Sequence, residues 1–534
     1  MERWRDLLAR NLALRNTLTQ RELNFAVQRV LDRVIFLRIA EDRGIEPYGQ
    51  LLAITAGPKI YPRFGQIFER ADFRYNSGLF HFATEKGRDE CPDKLTLGLT
   101  LGDATLKEII TALYWPKSPY AFAVIPADIL GHVYEQFLGK VIHLTSDHRA
   151  VVEEKPEVRK AGGVYYTPTY IVRYIVEKTV GPLLAGKSPK QLEHLTVLDP
   201  ACGSGSFLLG AFEYLLDWYL AYYVAHDPAA WAKKKHPPLY ETNSNAGYRS
   251  LPPEVERLVP KTPRSAASAS TPPARNWQLT TAERKRIFVT HLFVVDIDAQ
   301  AVEVTKLSLL LKVLEGEARE LRGKQLDFHR VLPDLGNNIK CGNSLIGSDF
   351  YAQPELPAVD DEARIKPNAF DWPREFKPIM DRGGFDAVIG NPPYIPLEML
   401  SDPEKNYIRD HYPALQRKFD SSVAFVLAFL AKLGRSGKSG YVAPQTGETG
   451  ENYSDFRRVV LEQFGLCEVI NLPFNVFKDA YVDTGIFVFT KEKQPTYSLC
   501  VMPKKQAVAD LKNTKFEVVA TSDLEAPDFR LVRR

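Results

Sequence analysis

Three apolar runs in this chain each stop at a side chain that a buried strand cannot use. Leu195–Leu198 stops at Asp199, Leu292–Val295 at Asp296, and Ala387–Ile389 at Gly390 and Asn391. Between the second and the last of these, the strand-to-loop segment Ile339–Ile346 carries Asn343 at its tip and makes a third strand end in chain order. Uninterrupted apolar runs of this length mark strands covered on both faces. Helical patterns follow two of them, at Phe207–Leu216 and Ala299–Leu314. Strands alternating with helices predict an α/β fold with a parallel sheet, and the four polar ends then share its carboxyl edge, where ligands of open α/β sheets bind.

The first of these ends is the most informative. In LTVLDPACGSGSFLLGAF a strand ends in Asp199, the turn Pro200–Ser206 contains Gly203 and Gly205, and Phe207 opens a helix. Strand, glycine-rich turn and helix form the nucleotide-binding arrangement of doubly wound sheets, because glycines let a ligand approach the backbone. A lone GxG is a weak signal; the flanking strand, helix and acidic residue strengthen it. The turn lacks the lysine of a phosphate-binding loop, which argues against triphosphate hydrolysis. Asp296, at the second strand end, is placed for ribose hydroxyls, and Asn343, at the third, for a base. For Asp296 and Asp298 a helix cap or a charge at the helix dipole is the plainer alternative, stronger for Asp298.

The fourth end is the stretch FDAVIGNPPY. Pro392 and Pro393 fix φ twice and remove two backbone N–H groups, so the loop offers carbonyl acceptors in a stiff arrangement beside the amide of Asn391 and the ring of Tyr394. A Pro-rich turn after a strand is common, and alone it leaves structure and chemistry evenly matched. A cofactor site and a substrate grip on one edge together suggest group transfer.

Elsewhere the chain is less specific. Its 534 residues predict two to four domains, and 45% hydrophobic with 25% charged residues is ordinary for a globular protein. A net charge of +3 advertises no global affinity for nucleic acid. Cys91, Cys202, Cys341, Cys467 and Cys500 lack paired or metal-like spacing, so reduced, mostly buried thiols are expected, and no metal. The charged start MERWRDLLAR is no signal peptide, and the apolar helix candidate Val423–Leu433 is too short for a bilayer, so a cytoplasmic protein without membrane contact is expected. Residues 1–155 read as a helical domain, with a wide apolar stripe over Arg21–Arg43 stopped at Gly44 and a further helix over Ser118–Leu138. No nuclease-like cluster occurs there; a scaffold or DNA-backbone clamp and a plain packing domain both fit. Thr167 and Pro168 read as the cap and first position of a helix. Residues 225–285, rich in Pro, Ser and Ala, read as an exposed insertion, and strands are expected at Gly440–Pro444, Glu468–Leu472 and Gly485–Phe489.

The ordered set TP, DPACGSGSF, DID, GNSL and NPPY resembles the gamma-type amino-methyltransferases of DNA, over about Gly162 to Lys493. With the lead-in LNFAVQRVLDRVIFLRIAEDRGIE and GGVYYTPTYIV, it looks more narrowly like the methyltransferase portion of type IIG, Eco57I-like restriction–modification enzymes. The resemblance implies a Rossmann-like S-adenosylmethionine-dependent methyltransferase domain over 156–495 and a C-terminal extension over 496–534, read as the start of a missing target-recognition region. It implies transfer of a methyl group from S-adenosyl-L-methionine to the exocyclic amine of adenine in DNA, within restriction–modification or phage defence. Thr167 and Pro168 would contact the methionine part; Asp199, Ala201, Gly203 and Gly205 would line the cofactor; Phe207 would meet its adenine, and Asp296 its ribose. Asn343 stands where the family more often has Asp to accept the adenine amine, which an amide does without charge assistance.

In the catalytic loop, Asn391 Oδ1 and the Pro392 carbonyl, with Pro393 holding the turn, would accept both hydrogens of the target amine, and Tyr394 would stack on a base flipped from double-stranded DNA. Phe474 or Phe477 would supply the opposite face, each evenly matched against core packing. Adenine rather than cytosine rests on the resemblance, since both amines fit the two acceptors. Arg417, Lys418, Arg457 and Arg458 are candidates for phosphate contacts, though a solvated helix face is the commoner fate of each. Compact methyltransferases of RNA or of protein glutamine share NPPY, and a non-catalytic DNA-binding subunit is a third reading. The chain reads as a truncated or split enzyme, or as one that takes its specificity or nuclease from a separate subunit.

Overall fold

The computed structural model describes residues 1–75, 78–84, 92–118, 120–122, 139–155, 167–242, 276–315, 335–352, 367–474, 476–477, 482–503, 511 and 514–532. Most of the expected helix over Ser118–Leu138, the GGVYY stretch and the core of the 225–285 insertion lie outside these residues. The chain divides into two compact units, one of Met1–Lys160 with Thr280–Lys285 and Gln300–Asn337, the other of the remainder.

The first unit is built on the helix Gln20–Asp42. Thr19 caps it, its hydroxyl accepting the Glu22 N–H while the Glu22 carboxylate accepts the Thr19 N–H. The apolar stripe of this helix is buried as expected, but so are Arg29, Asp32, Arg33, Arg38 and Glu41. The charges survive burial because their guanidinium groups find partners within the fold, most completely at Arg33. Arg33 Nη2 pairs with Asp93 Oδ2 at 2.7 Å, Nη1 donates to Thr96 Oγ1 at 2.6 Å and Nε to the Leu79 carbonyl at 2.8 Å. Strands β1 (Lys140–Leu144) and β2 (Ala150–Glu154) form an antiparallel pair in this unit.

The second unit is organised by a nine-stranded sheet. Its strands are β3 (Val197–Asp199), β6 (Leu292–Asp296), β7 (Ile339–Cys341), β8 (Phe385–Gly390), β9 (Leu433–Pro444), β10 (Gly465–Asn471), β11 (Thr484–Thr490), β12 (Thr496–Val501) and β13 (Glu517–Ala520). They lie in the order β13-β12-β10-β11-β9-β8-β3-β6-β7. The run β7-β6-β3-β8-β9 is parallel throughout, with Val197 opposite both Leu292 and Ala387, and Ile389 opposite Gly440. The order reverses at β3 and β8, the switch point of a doubly wound sheet. This is an α/β, Rossmann-like architecture.

The sheet is mixed rather than parallel, which corrects the expectation of one parallel sheet. β11 runs antiparallel to both β9 and β10. Every residue of β11 is buried, and a strand covered on both faces carries no sign of its direction in its sequence. The weakly patterned C-terminal residues extend the same sheet, β12 parallel to β10 and β13 antiparallel to β12. The described ends of the insertion pair with each other as β4 (Leu239–Thr242) and β5 (Asn276–Leu279).

One face of the sheet is packed by the helix Ser421–Ala431, apolar from Val423 onward, with Trp372 edge-on to Phe429 at 5.1 Å and to Phe370 at 4.8 Å. Among the described residues, no helix is long and apolar enough to cross a membrane.

Candidate active site at the carboxyl edge of the sheet

β3 ends in Asp199, which is only 1% exposed. Its Oδ1 accepts the Ala201 N–H at 3.1 Å, while Oδ2 is buried and meets no hydrogen-bond donor among the described residues. Burial, reinforced by the nearby charge of Asp296, pushes this carboxyl up to about 8 against the opposing Ala201 N–H. Gly390 makes room for it: a Cβ there would sit 3.0 Å from Asp199 Oδ1. The abrupt glycine after Ile389 is therefore a packing requirement of the neighbouring strand end.

The turn that follows needs its glycines for another reason. Gly203 and Gly205 have φ of 53° and 81°, in the left-handed region. A Cβ on Gly203 would meet nothing within 4 Å, so the outer side of the turn is clear of the described residues. Its N–H donates to Asp296 Oδ2 at 2.9 Å, and Asp296 Oδ1 accepts the Asp298 N–H at 2.8 Å. Phe207 lies in the first turn of the helix Ser206–Ala225 and is 2% exposed.

The third strand end is laced to the first two. The Gly342 N–H donates to the Asp296 carbonyl at 2.9 Å, and Ser344 Oγ donates to the Pro200 carbonyl at 2.6 Å. Asn343 Oδ1 accepts the Leu345 N–H at 3.0 Å. The structure thus brings together Asp199, Ala201, Gly203, Asp296 and Asn343 along β3, β6 and β7.

The loop after β8 joins them from the other side. Asn391 Nδ2 donates to Thr167 Oγ1 at 3.2 Å, and Asn391 Oδ1 accepts the Tyr394 hydroxyl at 2.5 Å. Thr167 was expected to cap a helix with Pro168 at its first position. Instead the helix is Thr169–Leu184, Pro168 stands at its N-cap, and the buried Thr167 hydroxyl serves Asn391. The Pro393 carbonyl accepts Ser421 Oγ, which also accepts the Ile395 N–H at 3.0 Å. Nothing among the described residues donates to the Pro392 carbonyl, which remains an open acceptor.

Beyond β10, Phe474 is 55% exposed and Phe477 6% exposed, so the first presents a ring outward and the second packs. Of the basic candidates, Arg457 is corrected: it is fully buried, with Nε on the Asp528 carbonyl at 2.7 Å and Nη1 on the Gly447 and Gly450 carbonyls. Lys418 and Arg458 are exposed and paired with Glu398 and Asp455. Sequence reasoning missed Ser421, although the Asp420–Ser422 capping sequence would have located that helix start, and it missed the buried pair Glu448 and Asn471, for which no local signal exists.

Residues 290–477 match the family described as Eco57I restriction-modification methylase, and residues 126–220 match N-6 DNA Methylase. The first match covers Asp296, Asn343, Asn391–Tyr394, Phe474 and Phe477; the second covers Thr167 to Phe207. The type II restriction enzyme and methyltransferase RM.Eco57I of Escherichia coli is 28% identical over 99% of this chain and 47% of its own length. The chain therefore spans about half of that relative. Among solved structures, the type IIL restriction-modification enzyme MmeI in complex with DNA aligns with a TM-score of 0.55 at 14% identity, over 99% of this chain and 61% of that one. The DrdV–DNA complex aligns with a TM-score of 0.50 at 13% identity, over 99% and 43%. These two likenesses speak for the fold. In sequence, the chain resembles the methyltransferase portion of Eco57I-like restriction–modification enzymes.

Proposed function

We propose that this chain is a DNA amino-methyltransferase, moving a methyl group from S-adenosyl-L-methionine to the exocyclic amine of adenine in double-stranded DNA, within a restriction–modification system. The observation that carries the proposal is the placement of Asn391 and the open Pro392 carbonyl at the strand end adjoining the Asp199 turn. The name of the Escherichia coli relative, a restriction enzyme and methyltransferase, supports the same reading.

The residues present fit such a donor. Among the described residues the outer side of Gly203 is clear, the buried Oδ2 of Asp199 lacks a partner, and Asp296 and Asn343 line the adjoining strand ends. Thr167, Asp199, Ala201, Gly203, Gly205, Asp296 and Asn343 would hold it, with Phe207 behind the turn. When bound, it supplies an electrophilic methyl on a sulfonium, already an excellent leaving group.

The protein's part is to make a poor nucleophile adequate. An aromatic amine has its lone pair delocalised into the ring. Asn391 Oδ1 and the Pro392 carbonyl accept its two hydrogens, which draws the nitrogen towards tetrahedral geometry and frees the lone pair. Thr167 accepts from Nδ2 and holds the Asn391 amide with Oδ1 on the side of the Tyr394 hydroxyl. No strong general base is needed, since the aminium formed by the transfer is acidic and gives up its extra proton to solvent; positioning and electrostatics supply the acceleration. The Tyr394 hydroxyl releases Oδ1 as the flipped base enters, and its ring then lies against the base.

The test is labelled methyl donor with unmodified duplex DNA, using the protein and Asn391→Ala. Label on N6 of adenine, lost in the variant, is expected. Label on cytosine, RNA or protein would overturn the substrate, and equal labelling by the variant would overturn the mechanism.

A further inference from the structure

The loop after β8 is short of backbone donors. Pro392, Pro393 and Pro396 have no amide hydrogen, so from Asn391 to Leu397 only Asn391, Tyr394, Ile395 and Leu397 keep one. A neighbouring strip of chain takes the last two. The Leu397 N–H donates to the Phe419 carbonyl at 3.0 Å, and the Ile395 N–H to Ser421 Oγ at 3.0 Å. The Ser421 N–H donates in return to the Ile395 carbonyl at 2.9 Å, and Pro396 bridges antiparallel to Asp420. The Ser421 hydroxyl gives its own hydrogen to the Pro393 carbonyl. One hydroxyl therefore holds both peptide units that flank Tyr394, the preceding one by its oxygen and the following one by its N–H.

Ser421 is itself a fixed point. It opens the helix Ser421–Ala431, buried through Leu430, and is 3% exposed. Asp420 caps that helix, Oδ1 accepting the Ser422 N–H at 2.9 Å and Oδ2 the Tyr453 hydroxyl at 3.0 Å. A group carried on such an element is placed more closely than a loop places its own residues. Planar peptide units leave a residue only φ and ψ, so pinning an atom in each flanking plane sets both. Two features of Tyr394 depend on those angles: the hydroxyl that donates to Asn391 Oδ1, and the ring proposed to lie against the flipped base. We infer that Ser421 is a positioning residue for methyl transfer, its hydroxyl setting the backbone angles of Tyr394 and so the direction in which the ring meets the base. The inference rests on the proposed transfer and names a residue, outside the strand ends that would hold the donor, on which its rate depends.

The experiment measures methyl transfer to duplex DNA by the protein, Ser421→Ala, Tyr394→Ala and the double variant, with calorimetric binding of S-adenosylhomocysteine as a second readout. Ser421→Ala should lower kcat/KM about tenfold through the displaced ring, while S-adenosylhomocysteine binds within about threefold of its affinity for the unaltered protein. In the Tyr394→Ala background, with no ring to place, the same substitution should cost less than about twofold. Ser421→Cys keeps the volume with only a weak thiol donor and acceptor; it should show the same pattern and carries the test if the alanine variant fails to fold. An unchanged kcat/KM in Ser421→Ala, or a loss that persists undiminished in the Tyr394→Ala background, would overturn the assignment. An equal loss of S-adenosylhomocysteine affinity would overturn it as well, by showing a general disturbance of the fold. Absence of any transfer by the unaltered protein would sink the methyl-transfer reading, and this inference with it.

Discussion

The Tyr394 hydroxyl donates to Asn391 Oδ1 at 2.5 Å, so the oxygen proposed to receive the target amine already holds a hydrogen bond. Ring and hydroxyl of Tyr394 therefore act in opposite directions, the ring favouring base entry and the hydroxyl closing the acceptor. Tyr394→Phe keeps the ring and removes the latch; its kcat/KM on duplex DNA should match or exceed that of the unaltered protein. Tyr394→Ala removes the stacking surface and should lower kcat/KM by about five- to 150-fold, from the ~1–3 kcal/mol that base–aromatic stacking contributes. Steady-state kinetics decide it: a large loss in Tyr394→Phe would mean that the hydroxyl serves the reaction rather than gating it.

Thr167 stands among the expected cofactor ligands, yet its hydroxyl contact in the structure is to Asn391. Thr167→Val preserves the volume of this buried side chain while removing the acceptor. Without it the Asn391 amide keeps only the Tyr394 hydroxyl as a partner, and looser alignment at the reacting centre acts on kcat. The expected result is a kcat reduced about tenfold, with affinity for S-adenosylhomocysteine within about threefold, the scale of one misaligned hydrogen bond. The opposite split, weak binding with normal kcat, would return Thr167 to the cofactor.

Glu448 predicts a pH dependence of stability. It is 1% exposed, Asn471 Nδ2 donates to its Oε2 at 2.9 Å, and its Oε1 has no hydrogen-bond partner among the described residues. Burial pushes its carboxyl up from 4.5 to about 8 in spite of the Asn471 amide. The folded protein then binds more protons than the unfolded chain between those values, so stability falls as pH rises through that window and is flat outside it. The slope from this group approaches 1.4 kcal/mol per pH unit as an upper bound. Glu448→Gln should therefore gain little in thermal midpoint near pH 5 and progressively more towards pH 8. A gain independent of pH would show that the ionisation of Glu448 does not limit stability.

The strand ends were legible because physics marks them twice: an apolar run needs a buried strand, and an abrupt Asp or Asn needs a reason. Asp199, Asp296 and Asn391 fall where that reasoning places them, at the ends of β3 and β6 and just beyond β8. What stayed hidden depended on partners distant in sequence. The direction of β11 leaves no trace in a strand buried on both faces. Arg457 looked like a surface cation because its three carbonyl acceptors, at Gly447, Gly450 and Asp528, are brought together only by the fold. The same holds for the charges within Gln20–Asp42, where residue type argued for solvent and long-range partners made burial tolerable.

Those buried charges yield the last prediction. Arg33 and Asp93 pair at 2.7 Å with side chains 0% and 5% exposed, and Arg33 lies over the Phe82 ring at 4.6 Å. Arg33→Met keeps much of the volume but strands the Asp93 charge and the Leu79 carbonyl. Breaking one side of such a pair costs about 3–5 kcal/mol, most of it from the unpaired charge left behind. Neutralising that charge should recover part of the loss. Asp93→Asn added to Arg33→Met should be less destabilised than the sum of the two single variants, by about 1–3 kcal/mol, the coupling typical of residues in contact. Urea unfolding of the four proteins measures this directly. Simple additivity would mean that the Thr96 hydroxyl and the Leu95 and Thr96 N–H groups, which also donate to Asp93, hold its charge without help from Arg33.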